Sequence, residues 1–90
     1  MNEKYNVYLV SDSTGETLDR IFLALKAQFI NFEYELNNFS FTRTENQIQQ
    51  ILEKAKKREN PIILYTIVNS KLAKYLADQA QSKQIPCFGV

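Results

Sequence analysis

Residues 5–17 read YNVYLV followed by SDSTGET, an apolar run that breaks into a hydroxyl-rich turn containing Gly15. The apolar part has the length and the β-branched and aromatic content of a buried strand. The side chains after the turn recur at helical spacing and predict a helix over about residues 15–30. These side chains are Leu18, Ile21, Phe22, Leu25 and Phe29. A strand that enters a helix through a polar turn is a common anion site, because the helix start presents unpaired N–H groups and partial positive charge.

Three further strands and two further helices are predicted downstream. A second strand alternates apolar and polar residues from Phe32, and Phe41 resumes the alternation after Asn37-Asn38, which predicts either a bulge or a strand entering a turn. Thr44 and Gln47 have the spacing of a capping box at the start of a second helix. Residues 61–68 form a continuously apolar third strand of the kind covered on both faces. Asn69 or Ser70 is expected to cap a third helix, and residues 85–90 begin a fourth strand.

The resulting order, βαβαβαβ, predicts the fold class. It is a three-layer αβα domain with a mainly parallel sheet of about four strands, Rossmann-like, with right-handed crossovers. Ligands of such sheets bind beyond the carboxyl ends of the strands, near a switch in strand order. The turn at residues 11–17 lies at such an end, as do Thr42-Arg43-Thr44 and Val68-Asn69-Ser70. The sequence therefore predicts one candidate site made of three polar turns.

Composition narrows the classes of function. Ninety residues with a net charge of +1 make one small domain, and the one basic cluster, residues 54–58, is diluted by neighbouring glutamates. We therefore expect no nucleic-acid partner. Histidine is absent and Cys87 is the single cysteine, which excludes histidine-based catalysis, a structural zinc site and an internal disulfide. For the same reason we expect no bound metal. We also expect no membrane association and a cytoplasmic location, since the sequence has neither a spanning segment nor a signal peptide.

The candidate site residues are mostly hydroxyls. We expect an anion or phosphate to contact Ser11, Ser13, Thr14, Gly15, Thr17 and Arg43. Asp12 is awkward beside a bare dianion, so its alternative role is catalytic, orienting or deprotonating a hydroxyl. Purely structural interpretations remain open: Ser13 and Glu16 have the spacing of a capping box, and an arginine at position 43 often pairs with a carboxylate such as Glu45. Cys87 is expected to be a small core residue.

Residues 7–17 (VYLVSDSTGET), residues 41–45 (FTRTE) and residues 62–69 resemble the N-terminal region of the pyruvate, phosphate dikinase and phosphoenolpyruvate synthase regulatory proteins. The resemblance runs over essentially the whole chain in the same order. It implies a bifunctional enzyme that uses ADP to phosphorylate a threonine of the dikinase or synthase. The enzyme also removes that phosphate with inorganic phosphate, releasing pyrophosphate. ADP and inorganic phosphate are thus expected as substrates, and the dikinase or synthase as partner, with a homodimer compatible with the resemblance.

The same resemblance bears on domain organisation. Members of the family are about three times this length and carry a nucleotide-binding P-loop in their C-terminal half. No stretch of these residues fits the P-loop pattern, since the only glycines are Gly15 and Gly89. We therefore expect residues 1–90 to be a single α/β domain, the N-terminal part of a longer protein whose nucleotide-binding half is absent. Alone, this domain is expected to be inactive and to need no cofactor.

Two alternatives belong to other classes of protein. The first is a flavodoxin-like domain that binds FMN. It is suggested by residues 14–17 (TGET), which resemble part of an FMN phosphate loop. The hydroxyl residue expected two places before Thr14 is replaced by Asp12, which weakens that resemblance. The second is a non-enzymatic module that docks a partner through the polar turns or an unpaired sheet edge.

Overall fold

Strands and helices alternate along the whole of the computed structural model, which describes residues 4–27 and 33–90. The elements are β1 (Lys4–Ser11), α1 (Glu16–Lys26), β2 (Glu33–Phe39), α2 (Glu45–Lys56), β3 (Pro61–Thr66), α3 (Ser70–Ser82) and β4 (Cys87–Gly89). The strands form one parallel sheet in the order β2-β1-β3-β4. The predicted βαβαβαβ order and the parallel sheet are confirmed.

The helices form a layer on each face of the sheet. Successive side chains of a strand point to opposite faces, so Val7 and Leu9 of β1 pack with α1, whereas Tyr8 and Val10 pack with α2 and α3. β3 divides in the same way, since Leu64 joins the α1 side of the core and Ile63 joins the other. Both central strands are therefore covered on both faces, which explains their continuous apolar runs. The three-layer, Rossmann-like class is confirmed.

Two predicted strand features are corrected by the backbone pairing. β2 pairs with β1 without interruption from Glu33 to Phe39, so the predicted bulge at Asn37-Asn38 is absent from this ladder. The other expectation, a strand entering a turn, is correct, and Phe41 lies in that turn. β3 ends at Thr66, two residues before the predicted end, and Val68 is 90% exposed. The predicted residues Phe29 and Phe32 lie outside the described residues.

The helix starts are confirmed for α2 and α3 but not for α1. Thr44 caps α2 in a complete capping box with Gln47, and Asn69 caps α3 by accepting the Leu72 N–H at 3.0 Å. The predicted Ser13–Glu16 box is wrong. The N-cap of α1 is Gly15, in the left-handed conformation with φ of 85°, and no side chain in the described residues caps this helix. The hydroxyls before α1 are therefore not used as caps.

Candidate functional site

The candidate site lies where the chain reverses its direction across the sheet. From β1 the chain crosses to the neighbouring β2, and from β2 it returns past β1 to β3. α1 and α3 therefore leave the carboxyl ends of the two central strands toward opposite faces. Such a divergence of loops is the usual ligand crevice of a parallel α/β sheet. Its two walls here are residues 12–15, after β1, and residues 67–69, after β3.

Three hydroxyls cluster between these two turns, at the carboxyl ends of β1 and β3. Ser11 is only 2% exposed, and its Oγ lies 3.2 Å from the Ser13 Oγ and accepts the Ser13 N–H at 3.1 Å. Thr66 donates its Oγ1–H to the same Ser11 oxygen at 3.4 Å. Sequence reasoning missed Thr66 because it treated the residue as the interior of a longer strand. The signal that could have found it is the parallel register, which aligns Thr66 with Ser11.

The turn after β2 is attached to the turn after β1 through the backbone. The N–H groups of Phe41 and Thr42 donate to the carbonyls of Ser13 and Ser11, both at 2.9 Å. Ser40 adds a side-chain bond, donating its Oγ–H to the Thr14 carbonyl at 3.0 Å. The polar turns predicted to share an edge of the sheet are therefore in direct contact.

Arg43 reaches across this junction. Its Nε–H donates to the carbonyl of Asp12 at 3.1 Å, and its guanidinium lies over the Phe41 ring, 5.2 Å from the ring centroid. The ion pairs of the described residues do not include an Arg43–Glu45 contact. The structural alternative for Arg43 is therefore not observed, and the guanidinium is brought to the predicted site with an exposed side chain.

Asp12 spans the crevice. Its Oδ2 accepts the backbone N–H of Val68 at 2.8 Å, and its own N–H donates to the Thr66 carbonyl at 3.3 Å. The carboxylate thus ties the turn after β1 to the turn after β3. An ionised carboxylate has about four acceptor positions, so this single bond leaves capacity to accept a proton or hydrogen bond from a substrate hydroxyl.

The remaining predicted residues occupy the start of α1. Gly15 opens the helix, and a Cβ at this position would lie 3.5 Å from the Ser40 Oγ. Thr14 and Ser13 are exposed in the turn, and Thr17 is exposed on the first turn of α1. Among the described residues, the hydrogen bonds of the cluster join Ser11, Ser13 and Thr66 and do not involve the Thr17 side chain, which borders the cluster without joining it. Glu16 and Asp19 also lie in the first turn of α1 and make the local charge near the helix start acidic.

Several other expectations concern the rest of the chain. Cys87 is half-buried and packs against the core on the α2–α3 side, and its burial raises the pKa of the thiol to about 11. This position suits a packing residue rather than a nucleophile. Within residues 4–27 and 33–90, no group of three or more acidic, cysteine or histidine side chains could hold a metal ion. None of the helices described is long and apolar enough to cross a membrane.

The fold and the switch-point crevice define a Rossmann-like α/β domain with a candidate anion site made of hydroxyls and an arginine. Residues 7–90 match the model of the kinase/pyrophosphorylase family. The chain therefore belongs to the kinase/pyrophosphorylase family. The match favours the regulatory-protein interpretation of the sequence over the flavodoxin-like and docking-module alternatives.

Individual relatives agree with the family match. The chain is 59% identical over 90 residues to a protein of Pelagibacter ubique named as a pyruvate, phosphate dikinase regulatory protein, covering all of this chain and 33% of that protein. Proteins of the same name in Alkaliphilus metalliredigens and Lacticaseibacillus casei are 37% identical over 84 residues and 39% identical over 90. They are covered to 30% and 32% of their length, and the alignments include 93% and 100% of this chain. The chain thus spans about a third of the length of these relatives.

Proposed function

We propose that this chain is the target-binding domain of a bifunctional protein kinase and pyrophosphorylase. In the proposed reaction, a phosphoryl group passes from ADP to a threonine hydroxyl of pyruvate, phosphate dikinase or phosphoenolpyruvate synthase, leaving AMP. The reverse function transfers the phosphoryl group of phosphothreonine to inorganic phosphate and releases pyrophosphate. Membership of the kinase/pyrophosphorylase family supports the reaction class, and the names of the relatives support the dikinase as target.

The role of this domain is inferred from one observation: hydroxyl side chains and an arginine meet at one edge of the sheet. We call this set of residues (Ser11, Ser13, Thr14 and Arg43) the rim. In our proposal, Ser13, Thr14 and the N–H groups beside Gly15 and Thr17 contact the phosphate of the modified threonine, and Arg43 supplies the positive charge. Hydroxyl and backbone donors with one guanidinium are the usual means of holding phosphate. Ser11 supports the cluster from below, because its Oγ is buried and already bonded to its neighbours.

Asp12 is proposed to act on the unmodified threonine. A carboxylate that accepts the hydroxyl proton orients the nucleophile for phosphoryl transfer, in which positioning and electrostatics carry most of the catalysis. The nucleotide is proposed to bind elsewhere in a longer protein, because the P-loop pattern is missing from these 90 residues. The isolated chain is then expected to bind phosphate-bearing ligands without catalysing transfer.

The test is an amide-resolved NMR titration of this chain with inorganic phosphate, pyrophosphate, ADP and FMN. Saturable shifts confined to residues 11–17 and 40–43 on adding phosphate or pyrophosphate would support the proposal. Arg43→Gln and Ser13→Ala should weaken those shifts, whereas Ser82→Ala, which removes an exposed hydroxyl at the end of α3, should not. If none of the ligands shifts these residues, the rim does not hold phosphate. If FMN alone binds specifically, the flavodoxin-like alternative is restored.

A further inference from the structure

Phe41 combines two features that folding alone does not explain. Its φ is +55°, in the left-handed region that bulky side chains rarely adopt, and its side chain is 50% exposed. An exposed position gains little from an aromatic ring, and asparagine or glycine would adopt this backbone conformation with less strain. A strained residue that persists at the edge of a candidate site is grounds for a functional hypothesis.

The strained conformation is held by contacts to its backbone rather than to its ring. The Phe41 N–H donates to the Ser13 carbonyl at 2.9 Å, and the Phe41 carbonyl accepts the Gln47 Nε2–H at 3.3 Å. Gln47 is itself fixed as the partner of Thr44 in the capping box of α2. The start of α2 and the turn after β1 therefore hold the Phe41 backbone in this conformation independently of the contacts of the ring.

The ring is paired with the one arginine of the rim. The Arg43 guanidinium lies 5.2 Å from the ring centroid while its Nε–H is bonded to the Asp12 carbonyl. The aromatic face and the carbonyl acceptor together restrict the guanidinium to a position between the Phe41 ring and the Asp12 backbone. Phe41 and Arg43 thus form an apolar and a cationic surface side by side, next to the turn that carries the Ser13 and Thr14 hydroxyls.

We propose that Phe41 and Arg43 form a clamp for the peptide that carries the modified threonine, with an apolar neighbour of that threonine packing on the Phe41 ring. This inference rests on the proposed function, since it assumes that phosphothreonine is the anion of the rim. Adjacency favours a peptide over a nucleotide. The next side chain on the same face of an extended peptide is two residues away, about 7 Å along the chain, whereas the base of a nucleoside diphosphate is separated from its terminal phosphate by a second phosphate and a ribose.

The test compares peptides and variants in a binding titration. The probes are a phosphothreonine peptide with leucines two residues to either side of the phosphothreonine, the same peptide with glycines at those two positions, inorganic phosphate and ADP. The wild-type chain should bind the leucine peptide at least fivefold more tightly than the glycine peptide. In Phe41→Asn this preference should disappear, whereas phosphate should still bind because Arg43 keeps its bond to the Asp12 carbonyl. Leu23→Asn, which alters a 59% exposed apolar residue of α1, is the matched control and should keep the preference.

Thermal melting followed by circular dichroism separates a binding role from a folding role. Phe41→Asn should melt no lower than the wild type, because asparagine tolerates the left-handed conformation. Equal affinity of the wild type for the two peptides would refute the clamp but would leave the proposed phosphate site intact. The clamp would also be refuted if Phe41→Asn lost affinity for ADP and kept its affinity for the leucine peptide. Failure of both phosphate and phosphopeptides to bind would refute the proposed function and the clamp together.

Discussion

Replacing Gly15 with alanine tests whether the start of α1 depends on backbone conformation. The φ of this residue is +85°, and a non-glycine residue in the left-handed region costs about 1–2 kcal/mol. Sterics add little, because the new Cβ would lie 3.5 Å from the Ser40 Oγ and 3.9 Å from the Ser11 Cβ, both ordinary contact distances. We therefore expect the free energy of unfolding to fall by about 1–2 kcal/mol, from strain alone.

Urea denaturation followed by circular dichroism measures this change, since a domain of this size is expected to unfold in a two-state transition. The same loss should lower the melting temperature by roughly 5–15 °C. Gly15→Asn is the matched variant, because asparagine visits the left-handed region more readily and should lose less stability than alanine. The reasoning is refuted if Gly15→Ala is as stable as the wild type, or if the asparagine variant is the less stable of the two.

Three further predictions concern other parts of the fold. Thr44→Ala should lower the free energy of unfolding in urea by about 1 kcal/mol, because the Thr44 Oγ1 accepts an N–H of α2 at 3.1 Å. Ser13→Ala removes no helix cap, so its free energy of unfolding should fall by less. Leu76→Ala, which truncates a side chain with 0% exposure, should cost about 2–5 kcal/mol in the same assay, against at most about 0.5 kcal/mol for Leu23→Ala. Since burial raises the pKa of Cys87 from 9.0 to about 11, the unfolded chain loses the thiol proton first as pH rises. The Cys87 contribution to stability should therefore decline between these pH values, and iodoacetamide should alkylate the folded chain more slowly than the urea-unfolded chain. Equal alkylation rates would contradict this account.

Most of the fold could be predicted because burial on two faces leaves a strong sequence signal. The apolar runs of β1 and β3 and the helical spacing around Ile48 and Leu76 reflect which side chains enter the core. The predicted bulge at Asn37-Asn38 was wrong. It was inferred from a break in the alternation of side chains, whereas strand pairing depends on hydrogen bonds of the backbone. On an edge strand such as β2, polar side chains interrupt the apolar pattern without interrupting the pairing.

For the candidate site, the sequence predicted that the polar turns lie at one edge of the sheet but not the contacts between them, because those contacts join residues that are distant in the sequence. The polar turns were recognisable from their position after apolar runs, since parallel strands end at one edge of the sheet. The contribution of Thr66 depends on its register with Ser11. The backbone conformation of Phe41 depends on hydrogen bonds to Ser13 and Gln47, which local sequence patterns do not predict. The Ser13–Glu16 box failed for a related reason: Gly15 adopts the left-handed conformation, so the helix begins at Glu16 and leaves the Ser13 hydroxyl to the cluster around Ser11.

The electrostatics of the rim divide it into two parts. Asp12 is fixed across the crevice by its bond to the Val68 N–H, and two like charges about 4 Å apart at the surface repel by about 4 kcal/mol per charge pair. A phosphate is therefore disfavoured beside the Asp12 carboxylate and favoured beside the Arg43 guanidinium. In the proposed reaction, the Asp12 end would receive the neutral hydroxyl of the target, and the end formed by Ser13 and Arg43 would receive the phosphate. The target threonine of that reaction alternates between a free hydroxyl and a phosphate ester, so the two ends have to lie close together. The contacts of Arg43 and Val68 with the same residue, Asp12, supply that proximity.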